Sequence, residues 1–305
     1  MSHRLALLAL LGVTPSQAAV LPVGPGLAFP TLQQAEQAAE PGDVLRLSAG
    51  HHAECAVISR SDLTIEGSGP ANATVLDGVA CQGKAALVTQ GARITVRHLT
   101  LSHIRVPDQN GAGIRAEGTD LLVEDVRFED NQDGILAAPN EASTITIRNS
   151  AFLRNGVCNP VCAHAIYANR IHLLQVQNSQ FLETFQGHHI KSRALSTEVT
   201  GCDLADGPNG RSSFQIELPN GGDLLARGNR IEKGPLSDNR SAVILVGAEG
   251  VTNPTRTLLV ADNSFRLDGG YATTFVRNLS RTSADVVGNS FEGRVVPLSG
   301  PGRVR

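Results

Sequence analysis

The chain has 305 residues, a formal net charge of −3 and no run of basic residues, which argues against a nucleic-acid-binding surface. Tryptophan is absent, tyrosine occurs twice and methionine once, while glycine occurs 31 times, a composition suited to strands and turns and not to a helical bundle. A prior of about 150 residues per domain allows two domains, but regular β architectures exceed it as one unit, and one domain is expected.

The opening, MSHRLALLALLGVTPSQAAV, carries Arg4, an apolar run from Leu5 to Val13, and then small residues. Ser16 and Ala18 fit a cleavage site before Ala19. The run is too short to span a bilayer, so residues 1–18 read as a secretory signal peptide; an exported protein with no membrane span is expected. Export permits disulfides. Cys158 and Cys162, in CNPVC, suit a bridge within one loop, Cys55 and Cys81 suit one across neighbouring repeats, and Cys202 remains as a small buried hydrophobe. The alternative, zinc on Cys158, Cys162 and His164, lacks a fourth ligand.

Residues 26–50 read as an N-terminal cap and first strand. In PTLQQAEQAAEPGD, Thr31 is an N-cap with Gln34 three residues on, Leu32, Ala35 and Ala39 share one face, and Pro41-Gly42 stops the helix. Such a helix would cover the open apolar end of a repeat array. From residue 92 a pattern recurs: an alternating strand, Asn or Gly, then a large apolar residue. The copies end on Leu101, Phe128, Phe152, Phe181, Leu204, Ile231, Phe265 and Phe291, a period of about 27 residues. Each is followed by a second short strand, in turn GIRA, GILA, AIYA, HIKS, QIEL, VILV and TFVR. Two or three short strands per repeat without a helix must stack coil on coil into parallel sheets. Residues 51–295 are therefore expected to form an all-β solenoid, and 296–305 a loose tail.

The stretch FPTLQQAEQAAEPGDVLRLSAGHHAE, with LTIEGSG and TVLDG after it, resembles the opening of right-handed parallel β-helix proteins of the pectin-lyase-like superfamily. The resemblance implies a right-handed parallel β-helix with a short N-terminal capping helix; for the reaction it implies little, since that superfamily holds lyases, hydrolases, epimerases and inert stalks. HAIYA, GHHIKSRA, IELPNGG and VGAEG also resemble a group of exported bacterial β-helix proteins.

The second strands align on Ile114, Ile135, Ile166, Ile190, Ile216, Ile244 and Phe275. Alternation sends these inward and both neighbours outward. Tyr167, Lys191 and Glu217 then form one ladder on the outer face, with rungs about 4.8 Å apart. His189 and Arg193 flank Lys191, Gln215 lies beside His189, and Asn169 lies two positions past Tyr167. Arg115 occupies the same ladder on an earlier coil. His164 and His188 fall at the preceding turn and lean over the patch.

Three readings follow. Lys191 and Glu217 form an ordinary cross-strand ion pair; or the wall is the site of an enzyme acting on an acidic polysaccharide; or it binds such a glycan without turnover. Elimination across a uronate needs its carboxylate neutralised, a base for the adjacent carbon-bound proton, and an acid at the leaving oxygen. Arg193 and His189 suit the first role, Lys191 or His189 the second and Tyr167 the third. Glu217 opposes a basic Lys191 unless it binds a metal or is itself the base. The expected catalytic set is Lys191, His189, Tyr167, Arg193 and Glu217, with Arg115, His164, His188, Gln215 and Asn169 binding substrate. Lys191-Ser192 resembles the lysine-serine pair of β-helix lyases acting on alginate and dermatan-type chains, although their next-coil arginine is replaced here by Glu217. Gly187-His188-His189 resembles part of the Gly-His-Gly motif of polygalacturonase-type helices, but their carboxylate motifs are missing. A polysaccharide lyase is favoured, with a C5-epimerase or a non-catalytic binder as alternatives. No cofactor is firmly implied. Calcium is the one that stays open, yet Asp108, Asp130 and Asp133 read as turn formers. The asparagines of GNR, DNS and GNS read as turn residues that satisfy stacked backbone groups. Glu249, in GAEG, is placed on the far wall of the groove. A monomer with an acidic polysaccharide as partner is expected.

Overall fold

The computed structural model describes residues 18–305, so the expected signal peptide lies, but for Ala18, outside the described residues. Among the described residues, apart from the helix Leu32–Ala38, the regular elements are strands, and every strand-to-strand pairing is parallel. They form a ten-stranded sheet and a twenty-stranded one. The larger sheet is two runs joined at a corner. Leu121–Glu129, for example, pairs over its first half with Ile145–Arg148 and over its second with Ala151–Leu153.

That corner explains the recurring Asn and Gly. His98, Asp125, Asn149, Asn178, Gly201, Gly228, Asp262 and Gly288 occupy it in successive coils, with φ between 48° and 66°. This left-handed region is open to glycine and is tolerated best by Asn and Asp among other residues. The next residue turns inward, and in the later coils it is asparagine. Asn263 Nδ2 donates to the Ala226 carbonyl at 3.0 Å, and its Oδ1 accepts the Asn229 N–H at 2.9 Å. Asn229 and Asn289 repeat the pattern on the coils before and after. These asparagines therefore satisfy stacked backbone groups, as expected from GNR, DNS and GNS.

Inside, Phe128, Phe152 and Phe181 stack at centroid distances of 4.6 and 4.7 Å. Facing them across the core are Gly113 and Gly134. A Cβ on Gly134 would meet the Phe152 ring at 2.8 Å and the Ala165 carbonyl at 2.4 Å, so that position points inward and has no room. Disulfides join Cys55 to Cys81 and Cys158 to Cys162, and Cys202 is free and buried. Both thiolates of the alternative zinc set are thereby consumed.

The boundaries differ from expectation at both ends. Val20–Val23 already pairs with Val44–Leu47, so the first coil begins before residue 26. The expected tail is ordered: Val295–Ser299 pairs with Thr273–Asn278, and Gly302–Val304 with Ala284–Val287. Its glycines and prolines suggested a tail, yet the edge of the last full coil offers unpaired backbone groups that these strands satisfy. The helix starts at Thr31, whose hydroxyl accepts the Gln34 N–H at 3.3 Å, and it buries Leu32 and Ala35.

Replacing Asn263 by leucine leaves the Asn229 N–H and the Ala226 carbonyl unpaired in the core. The expected cost is about 1–3 kcal/mol per buried group, read as a lower thermal midpoint by circular dichroism. An unchanged midpoint would show that the ladder contributes nothing.

Candidate functional site

The outer wall of the ten-stranded sheet is built by register. One ladder runs Arg115, Leu136, Tyr167, Lys191, Glu217, Leu245, Arg277. The expected alignment fails at its end: Ile244 pairs with Val276, not Phe275, so the outward residue of that coil is Arg277. Phe275 is fully buried and packs on Phe265 and Phe291.

A second correction concerns parity. His189 and Gln215 were expected outside, but both are fully buried. The position before each central isoleucine is a corner where the chain enters the strand, and its side chain points into the core, as the crowding at Gly113 and Gly134 shows. Small residues there leave room for the phenylalanine stack. Where they give way to His189 and Gln215, the interior becomes polar. His189 Nδ1 lies 2.6 Å from the Thr184 hydroxyl, and its Nε2 is 3.3 Å from Asp206. Gln215 Nε2 donates to Asp206 at 3.2 Å, and Lys233 Nζ donates to the Ser213 carbonyl at 2.8 Å. Lys233 is fully buried, and burial lowers its pKa to about 8 although Asp206 and Glu232 oppose this. His189 and Gln215 belong to this inner network and do not reach the wall.

The outward residues on that side come one position earlier. Asp133, His164, His188 and Phe214 occupy equivalent places on successive coils. His164 and His188 stack at 4.6 Å, and Tyr167 meets His164 edge-on at 5.2 Å. The backbone N–H of His188 donates to His164 Nδ1 at 3.0 Å, which places the proton of a neutral imidazole on Nε2. Burial, then the positive charge of His188, Lys191 and Arg193, hold His164 well below the usual histidine range. Burial also lowers His188, although Glu217 opposes it. His188 Nε2 lies 3.0 Å from Glu217 Oε2. Burial pushes the Glu217 carboxyl up, but His188 and Lys191 outweigh it and hold the group below its ordinary value.

Lys191 sits between two carboxylates, 3.7 Å from Glu217 and 3.1 Å from Glu249. Arg193 Nε donates to the Tyr167 hydroxyl at 3.1 Å, one terminal nitrogen donates to Asn220, and the other lies 2.7 Å from Glu249. One carboxylate thus bridges both cations. Glu249 stands on a turn bounded by Gly247 and Gly250, with φ of 85° and 90°. The structure brings together Tyr167, Lys191, Arg193, Glu217, His164 and His188. Asn169 donates to the Ala137 carbonyl at 2.9 Å, and Arg115 stands two rungs from Tyr167 beside Glu117. Asn220 was missed, and Asp133 was read only as a turn former. Asp133 was visible as the residue two before a central isoleucine, the place His164 and His188 also hold.

Among the described residues no group of three or more His, Cys, Asp or Glu is arranged to hold a metal ion. Asp130 is engaged by Arg154 at 2.8 Å, Asp108 accepts the Asn110 N–H at 3.1 Å, and Asp133 accepts the His164 N–H at 2.7 Å. Asp108 and Asp130 therefore serve a turn and an ion pair, whereas Asp133, expected as a turn former, is buried at the start of the strand Asp133–Ala137 and bonds to the next coil.

No protein-family model matches the sequence, and no curated protein matches it significantly. Solved structures do match. An alginate lyase from Paenibacillus sp. str. FPU-7 superposes with a TM-score of 0.59 at 17% identity, covering 91% of this chain and 99% of that one. The ORF18 protein of Geobacillus virus E2 gives 0.56 at 12% identity over 89% of this chain and 56% of its own. The fold is a parallel β-helix. In this β-helix the wall just described is one continuous strip of the ten-stranded sheet.

Burial raises the Asp133 carboxyl to about 8, against the His164 N–H and Arg115, which lower it. Between its ordinary value of 3.8 and about 8, the folded chain keeps a proton that the unfolded chain has lost. The stability linked to Asp133 is therefore full below that window and is lost as pH rises through it. Asp133→Asn is expected to flatten the fall of the thermal midpoint between pH 4 and pH 8. An identical slope in the variant would remove Asp133 from the pH response.

Proposed function

We propose that this chain is an exported, right-handed β-helix that acts on an acidic, uronate-containing polysaccharide, cleaving it by β-elimination. The observation that carries the reading is the convergence of Lys191, Arg193 and the Tyr167 hydroxyl on one outer strip. The two disulfides accord with an oxidising compartment. The helix at Leu32–Ala38 would close the apolar end of the first coil.

In this reading the uronate carboxylate binds Arg193, whose planar donors suit it, and the charge developing in the transition state is held there. Lys191 takes the proton from the carbon beside the carboxylate. For that it must first lose its own extra proton, and the Glu217–His188 pair behind it is the acceptor within reach. The Tyr167 oxygen accepts from Arg193 and retains its own hydrogen, which it gives to the leaving glycosidic oxygen. His164, held neutral, packs the Tyr167 ring in place. His189, inside the core, has no contact with substrate and supports the strand from within. An epimerase would share the proton abstraction and differ in reprotonating the anion from the opposite face.

A panel of uronate polymers followed by ultraviolet absorbance tests this. Absorbance from an unsaturated end together with chain shortening is the expected result. Altered stereochemistry without shortening would replace the lyase by the epimerase, and retention without chemistry would replace both by a binder. Lys191→Ala is expected to lower the elimination rate by about 10²–10⁴-fold with the circular dichroism spectrum unchanged. Wild-type turnover in that variant would remove Lys191 from the mechanism.

A further inference from the structure

The two cations of the wall are not free. Lys191 and Arg193 side chains are 14% and 20% exposed, whereas the Glu249 side chain that bridges them is 45% exposed. The carboxylate is the outermost member of the cluster, and it comes from a separate turn two coils away from Lys191. One oxygen faces each cation, 3.1 Å from Lys191 and 2.7 Å from Arg193. Burial raises the Glu249 carboxyl, but Arg193 and Lys191 outweigh this and keep it ionised. Asn220 and Tyr167 fill the remaining edges of the guanidinium.

From this geometry we infer that Glu249 is a specificity-determining residue: it occupies a carboxylate-binding site in place of the ligand's own carboxylate and so admits acidic ligands over neutral ones. The inference rests on reading the wall as a site for an acidic glycan. A ligand that reaches Lys191 and Arg193 must displace Glu249. A ligand bearing a carboxylate restores both ion pairs as it enters. A neutral sugar leaves the mostly buried Arg193 without a counter-ion and Lys191 with Glu217 alone, which is unfavourable. Discrimination arises from the penalty on the wrong ligand as much as from contacts with the right one. Glu249 is suited to leaving, because its turn is held by backbone bonds, Glu249 N–H to Pro219 and Gly250 N–H to Gly247, that do not involve the carboxylate.

The chain contains no tryptophan and only two tyrosines, so the emission of Tyr167 can be isolated in a Tyr271→Phe background. Tyr167 touches Arg193 directly and reports on its occupancy. The titration uses glucuronate, glucose and acetate, in that background and in the same background with Glu249→Gln. Glucuronate is expected to change the emission at about five- to tenfold lower concentration in the Glu249→Gln protein, the gain set by removal of the competing ion pairs. Glucose is expected to be ineffective with Glu249 present and to gain ground without it. An acetate response equal to that of glucuronate would assign the site to any carboxylate and uphold the role of Glu249. Equal or weaker glucuronate binding in the variant, with an unchanged circular dichroism spectrum, would overturn the inference, as would glucose matching glucuronate in the parent protein. Should Tyr271→Phe fail to fold, total tyrosine emission of the wild-type and Glu249→Gln proteins serves the same comparison. Failure of every uronate polymer to turn over would sink the lyase reading and leave this titration intact.

Discussion

The wall depends on one constraint: the in-register stacking of parallel strands from coil to coil. In a single coil Lys191 is one polar residue on a five-residue strand. Because Tyr167 pairs with Lys191 and Lys191 with Glu217, residues separated by more than twenty positions in sequence become neighbours at the strand spacing of about 4.8 Å. The register is enforced away from the wall, at the left-handed corner and along the ladder of Asn229, Asn263 and Asn289. A coil that slipped by one residue would present its buried isoleucine to solvent and withdraw its charge.

The same constraint makes the electrostatics collective. His188, Glu217, Lys191, Glu249 and Arg193 form a chain of alternating basic and acidic groups, each within 3.7 Å of the next. Isolated surface pairs of this kind contribute little. Here most members are shielded by the strip itself, so removal of one leaves its neighbours without compensation. The acidic groups are therefore as much a part of the wall's chemistry as the cations they hold.

The period, the parallel sheets and the turn asparagines were legible because each follows from local chemistry repeated many times. The site was legible in part. Tyr167, Lys191 and Glu217 follow from simple alternation after the central isoleucine. His189 and Gln215 do not, because two consecutive residues face inward where the chain rounds into the strand, and alternation carries no signal for a corner. Gly113, Gly134 and Ala165 at the equivalent place were the available hint, since small residues there imply crowding and not exposure. Phe275 misled for a related reason: both it and Val276 are buried, and hydrophobicity alone gives no choice between them. The bond from Glu249 across two coils depends on the path of an irregular turn, which no periodicity encodes.

The buried cluster of His189, Asp206, Gln215 and Lys233 bears on how a repetitive chain counts its own turns. Coils lined only by isoleucine, valine and phenylalanine are nearly interchangeable, and a growing stack of them could skip or exchange one without much penalty. A lysine ammonium sealed in the interior has acceptors in one arrangement only, with Ser213 and Gln215 on the coil beside it. It therefore acts as an index mark, fixing which turn of the solenoid lies next to which, and with it the order of the charged groups outside.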